Sequence, residues 1–187
     1  DVQSISVTVT DANDAPIINL PGSALSYTEN DGPVVIDGGA TVTDQDLTDF
    51  DTGTLTVDFS ANGSAGDRLA VNDQGPGVGN ISLSGSTVLY DFGAGPVAIG
   101  TISGGTSGSD PLVVTLNASS DAASVQALMR NITYENVSDD PSTAARIVRF
   151  VLTDGDGGTS NADTTAISLT AVNDASVVTV DPTTLVY

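Results

Sequence analysis

The sequence predicts an all-β fold, an antiparallel β-sandwich with one short inserted helix. Three observations lead there. Short runs that alternate apolar and polar residues recur along the chain, as half-buried strands require. Gly- and Pro-rich punctuation separates them, at Asp31-Gly32-Pro33, Asp37-Gly38-Gly39, Gly75-Pro76-Gly77 and Gly104-Gly105. Only one segment shows helical periodicity.

In chain order, the first alternating run is Ile5 to Thr10. Thr54 to Phe59, Ile81 to Leu83 and Thr165 to Thr170 alternate in the same way. Val88 to Tyr90, Leu112 to Leu116 and Ile147 to Leu152 are short apolar-rich runs, which suit more deeply buried strands. Many short strands joined by tight turns point to a sandwich. The exception follows Ser119-Ser120-Asp121, a helix-start signal, where Val125, Leu128, Met129 and Ile132 fall at helical spacing. A helix is expected from Asp121 to about Asn131, laid across an open end or face of the sandwich, with its Met and Leu in the core.

The chain also repeats itself at an offset of 160 residues. Ile5-Ser6-Val7-Thr8-Val9-Thr10 returns as Thr165-Ala166-Ile167-Ser168-Leu169-Thr170, and Asn13-Asp14-Ala15 returns as Asn173-Asp174-Ala175. Leu25 and Tyr27 match Leu185 and Tyr187. Self-similarity at a long fixed period marks a tandem array. The phase of the repeat divides the chain into the last strand and linker of one unit (1–14), a complete unit (15–174) and the start of another (175–187). A segment excised from a longer protein is therefore expected.

Composition narrows the chemistry. The 187 residues carry 24 acidic side chains (22 Asp and 2 Glu) against 4 Arg and no Lys, a net charge of −20. Phosphate binding needs clustered Lys and Arg, so neither nucleic acid nor an anionic membrane surface is an expected partner. The chain has no Cys, which removes disulfides and thiolate metal sites, and no His, which removes the usual zinc and general-base chemistry. No run is long and apolar enough to span a bilayer, and targeting signals are expected elsewhere in a longer protein. Short carboxylates in Gly- and Asn-containing turns suit hard cations, which take several oxygens around one point.

Four acidic clusters stand out: Asp11-Ala12-Asn13-Asp14, Glu29-Asn30-Asp31, Asp44-Gln45-Asp46 and Asp154-Gly155-Asp156-Gly157-Gly158. The first, and its copy Asn173-Asp174, sit at the boundaries between units. Unpartnered carboxylates about 5 Å apart repel by roughly 1 to 3 kcal/mol per pair, so a boundary rich in them favours a cation. Asp-Gly turns also close hairpins without any metal. Asp49, Asp51, Asp139 and Asp140 read as solvated loop residues.

Taken in order, these motifs resemble the calcium motifs of cadherin repeats. The whole unit is similar to the long cadherin-like tandem repeats of very large bacterial surface proteins. Its most distinctive stretches are Val125 to Asn136 and Phe150 to Gly158. The resemblance implies a cadherin-like or Ig-like sandwich, Ca2+ as the ligand, and a place outside the cell or on its surface. It implies Asp11, Asn13 (through its carbonyl) and Asp14 as linker ligands, met by Asp44, Asp46 and Asp154 or Asp156 from the top of the domain. Glu29 would serve the following junction, beside Asn173 and Asp174. Three departures stand against it. Ala15 replaces a second Asn, Ala171 replaces the leading Asp of the second junction, and Gly66-Asp67-Arg68-Leu69 is only a faint echo of the Asp-Arg-Glu motif.

The expected function is a calcium-stiffened structural repeat of an extracellular filament or adhesin, whose partners are neighbouring repeats. A carbohydrate- or protein-binding module remains an alternative, although the chain has no Trp and only 4 Tyr and 4 Phe. A subunit that polymerises head to tail by strand exchange between Ile5–Thr10 and Val177–Tyr187 is another. An enzyme is not expected, since turn aspartates at domain ends are poorly placed for a raised-pKa acid. Five Asn-x-Ser/Thr sequons occur, at Asn62, Asn80, Asn117, Asn131 and Asn136.

Overall fold

The structure is a computed structural model, and it describes residues 3, 4, 6, 12–46 and 49–175. It bears out the all-β sandwich with one short helix. The predicted strand at Ile5 to Thr10 apart from Ser6, the expected ligand Asp11 and the segment Val177 to Tyr187 lie outside the described residues.

Among the described residues thirteen strands and one helix follow in order. They are β1 (Ile17–Asn19), β2 (Leu25–Thr28), β3 (Val34–Val35), β4 (Thr41–Thr43), β5 (Thr54–Ala61), β6 (Asp67–Val71) and β7 (Ile81–Ser84). Then come β8 (Thr87–Asp91), β9 (Pro96–Ser103), β10 (Leu112–Leu116), α1 (Ala122–Met129), β11 (Ile132–Asn136), β12 (Arg146–Leu152) and β13 (Asp163–Thr170). The main sheet has eight strands in the order β2-β13-β12-β5-β10-β9-β8-β7. A three-stranded sheet, β3-β11-β6, and a β1-β4 pair complete the described strands.

Alternation explains why the sheets stack. In β10 and β12 every second side chain is fully buried: Leu112, Val114 and Leu116, then Val148, Phe150 and Leu152. These join one continuous core with Tyr134 of the smaller sheet. Tyr27 of β2 meets Tyr134 of β11 edge to face at 4.9 Å, and Phe59 of β5 meets it at 6.1 Å. Such contacts hold two sheets face to face.

Most pairings are antiparallel, but β2 runs parallel to β13, with Leu25 opposite Ile167 and Thr28 opposite Thr170. That pairing brings Glu29, one residue beyond β2, to the exit of β13. Because β12 is antiparallel to β13, the loop after β12 opens at the opposite end. β13 is 8 residues long, so the two ends stand about 26 Å apart at ~3.3 Å per residue.

Helix α1 begins where the sequence signal placed it. The Asp121 carboxylate accepts from Ser124 N–H at 2.8 Å, and Ser124 Oγ accepts from Asp121 N–H at 2.9 Å, a reciprocal capping box. Val125, Leu128 and Met129 are buried as expected. The helix ends at Met129 rather than Asn131, because the chain must turn at Arg130 and Asn131 to enter β11 at Ile132. Among the described residues no helix is long and apolar enough to cross a membrane.

Inside the sandwich lies a polar cluster that the motif reading saw only as an echo. Asp67 and Arg146 are both fully buried and paired at 3.3 Å. Tyr134 Oη and Asn136 Nδ2 donate to Asp67 at 2.7 and 2.6 Å, and Ser64 donates through N–H and Oγ at 2.7 and 2.9 Å. Arg146 also donates to the carbonyls of Ser142 and Ala144. Burial pushes the Asp67 carboxyl up, but these hydrogen bonds outweigh it and hold the group below its ordinary value. Burial and the same carboxylate push the Tyr134 phenol well above its usual range. Asp67 thus serves the interior rather than a junction.

Candidate functional site

At the top of the domain, the loop after β12 turns through Asp154 to Gly158. Asp154 is 1 % exposed. Its Oδ1 accepts from the N–H groups of Asp156 at 2.8 Å and Gly158 at 2.9 Å. Its Oδ2 accepts from Asn13 Nδ2 at 2.9 Å, a bond that spans 141 residues and ties the linker to the loop. Burial pushes the Asp154 carboxyl up. The Asn13 amide and the N–H groups of Asp156, Gly158 and Gly157 more than offset this and hold it below the usual carboxylate range. Asp154 is therefore a buried anion.

The glycines of this turn are needed for the approach. A Cβ on Gly158 would stand 2.0 Å from Asp154 Oδ2 and 2.8 Å from Ala15 Cα, so only glycine lets the linker lie on the loop. Gly155, at φ +95°, would place a Cβ 1.9 Å from the Asp51 carbonyl.

The second acidic pair meets the same linker. Asp46 Oδ2 accepts from Asp14 N–H at 2.9 Å, and Asp44 Oδ1 accepts from Asp46 N–H at 3.4 Å. The structure thus brings linker residues Asn13 and Asp14 to both predicted loops. Asp156 joins through its backbone, and its side chain is exposed. Asn13 meets Asp154 as an N–H donor, so that contact leaves its side-chain carbonyl unused.

The opposite end holds the other predicted residues. Glu29 is 4 % exposed, with its N–H bonded to the Thr170 carbonyl at 2.9 Å. Glu29 Oε2 accepts from Val172 N–H at 2.7 Å, whereas Oε1 is buried with no hydrogen-bond partner among the described residues. A buried carboxylate oxygen left unpaired is costly, and such an atom calls for a ligand. Asn173 and Asp174 are exposed, and Asn173 Nδ2 donates to the Asp174 carbonyl at 3.1 Å. At the 160-residue offset, Val172 corresponds to Ala12. The two ends thus hold different contacts: loop carboxylates that receive Asn13 and Asp14 at one, and a glutamate bonded to the Val172 N–H at the other.

Among the described residues, no three acidic side chains gather closely enough to hold a metal ion by themselves. Of the loop aspartates read as solvated, Asp51, Asp139 and Asp140 are exposed, while Asp49 is half-buried and caps the turn to Asp51 at 3.0 Å. Two sequons are unusable in the folded chain, since Asn131 and Asn136 are buried with their side-chain amides engaged. The chain matches no protein-family model, and neither a curated protein nor a solved structure proved similar to it.

Proposed function

We propose that the chain is a structural repeat of an extracellular or surface-anchored filament or adhesin, similar to cadherin-like tandem repeats and stiffened by Ca2+ at its junctions. The observation that carries this reading is that carboxylates grip a linker at both ends of one sandwich. Asp154 and Asp46 take Asn13 and Asp14 at one end, and Glu29 takes Val172 at the other.

The donor set fits a hard cation: carboxylate and amide oxygens, with no thiol or imidazole in the chain. Asp14, Asp44, Asp46, Asp154 and Asp156, with Asp11 and Asn13 of the linker, would hold Ca2+ at the first junction. Glu29, Asn173 and Asp174 would do so at the second, where Ala171 replaces the leading Asp and binding is weaker. Bound there, the ion supplies positive charge that removes carboxylate repulsion and cross-links two units. The residues themselves orient the linker by hydrogen bonds and limit its swing. Carboxylate sites of extracellular modules bind Ca2+ at ~10⁻⁴–10⁻³ M, a range suited to a surface protein.

Thermal unfolding in Ca2+ and in chelator, at matched ionic strength, tests the reading. At ten times Kd one site contributes about 1.4 kcal/mol, a shift of about 3–6 °C for a domain of this size. An unchanged midpoint in chelator sinks it.

A further inference from the structure

Between α1, β3 and the β7–β8 hairpin opens a cleft of about 540 Å³, lined among others by Asn72, Gln74, Tyr90, Gln126, Arg130 and Asn131. It shares no residue with either junction. In a chain with 24 acidic residues, none of the lining residues is Asp or Glu. Arg130 sets the sign of the site. Arg146 and Arg149 are neutralised by Asp67 and Asp58, and Arg68 donates to the carbonyls of Ala65 and Asp67. Arg130 Nε donates to the Ala40 carbonyl at 2.7 Å, which fixes its stem. Its terminal nitrogens have no hydrogen-bond or carboxylate partner among the described residues.

Two of the surrounding amides are oriented in the same sense. Gln74 Oε1 accepts from Ile81 N–H at 3.0 Å and Asn131 Nδ2 at 3.2 Å, and Gln126 Oε1 accepts from Val42 N–H at 3.4 Å. With the carbonyls taken, both NH2 groups remain as donors without a partner among the described residues. Asn72 donates to Asn131 Oδ1 at 3.3 Å, leaving its own carbonyl as an acceptor. The Tyr90 ring is set by Phe92, edge to face at 4.7 Å, and its hydroxyl makes no hydrogen bond among the described residues.

We propose that this cleft binds a carboxylate-bearing sugar, a hexuronate unit of an acidic glycan. Its carboxylate would take the planar fork of Arg130, its hydroxyls the amides and the Tyr90 hydroxyl, and its ring face the Tyr90 side chain. The volume lies in the range of a small-molecule site, large enough for a sugar ring and too small for a folded partner. A cationic ligand is disfavoured by Arg130, and a wholly apolar one would leave the donors unpaired. The site is independent of the junction reading and stands or falls without it.

The test is an NMR titration of the chain with galacturonate, galactose and acetate, run without Ca2+ and repeated with it. Galacturonate should perturb, saturably and at millimolar concentration, the side-chain amides of Asn72, Gln74 and Gln126, equally in both buffers. Galactose and acetate should each bind at least about tenfold more weakly, and Arg130→Gln should weaken galacturonate binding by about tenfold or more. Tyr90→Phe deletes only a hydroxyl and keeps the ring pair, so it probes the cleft even if Arg130→Gln impairs folding; a few-fold loss is expected. No saturable perturbation, or one indifferent to both variants, overturns the proposal. Acetate binding as tightly as galacturonate also overturns it, since the cleft would then read only a carboxylate.

Discussion

Asp67 and Asp154 are both almost wholly buried, at 0 % and 1 % exposure, and both carboxyls are held below their ordinary value. They are held there by different means. Asp67 lies in the middle of the sandwich and is balanced by Arg146, with Tyr134, Asn136 and Ser64 completing its hydrogen bonds. Asp154 lies at the end of the sandwich and, among the described residues, receives only neutral donors, from its own turn and from Asn13. Neither ion pair among the described residues involves it. The interior carboxylate is satisfied by its own domain. The terminal one is oriented but not neutralised, which is the condition in which a cation adds stability.

Variants at the two places should separate these roles. The largest effect is expected from Arg146→Met, which strands the Asp67 charge in the core. Chemical denaturation should show a loss of about 3–5 kcal/mol, equal with and without Ca2+. Gly158→Ala comes next, at about 1–3 kcal/mol, since its Cβ would strike both Asp154 and the linker at Ala15. Hydrogen exchange should then accelerate at Asp156 and Gly158, whereas the amides of β12 and β13 stay protected. A Gly158→Ala chain that keeps slow exchange in the 154–158 turn would contradict the seating of the linker there.

Asp154→Asn should remove the roughly 1.4 kcal/mol gained in Ca2+ at ten times Kd, and change stability much less in chelator. Equal losses in both buffers would make Asp154 another interior carboxylate and erase the comparison. Acid sharpens it from the other side. Because the Asp67 pKa is lowered below 3.8 on folding, its contribution is complete above about pH 4 and is lost as pH falls through the folded value. A denaturation series from neutral pH to pH 3, in chelator, should show a steeper decline in the native chain than in Asp67→Asn, where Asp154 still contributes. Exposed Asp139 should matter least: Asp139→Asn stays within about 0.5 kcal/mol and leaves any Ca2+ effect intact.

Much of this was legible in the chain because period and turn chemistry are local. β10 falls at Leu112 to Leu116 as the apolar run indicates, and β5 and β12 begin within one residue of expectation. The helix start follows from Asp121 and Ser124. Strands without a buried alternation escaped. β9 begins at Pro96 and buries only Ile99 and Gly100, and β3 is two residues long. The parallel pairing of β2 with β13 joins residues 142 apart and leaves no periodic trace. The acidic clusters could be read, but not the bond from Asn13 to Asp154, nor which Glu29 oxygen lacks a partner among the described residues. The cleft was invisible for a similar reason. Asn72, Gln74, Tyr90 and Arg130 are scattered, and only the fold around α1 gathers them.

Calorimetric titration of Ca2+ onto this chain tests the junction account most directly. Saturable binding is predicted at ~10⁻⁴–10⁻³ M, with Asp154→Asn removing the tighter component and Glu29→Gln the weaker one. Heats that never saturate in that range, or that both variants leave unchanged, would contradict it.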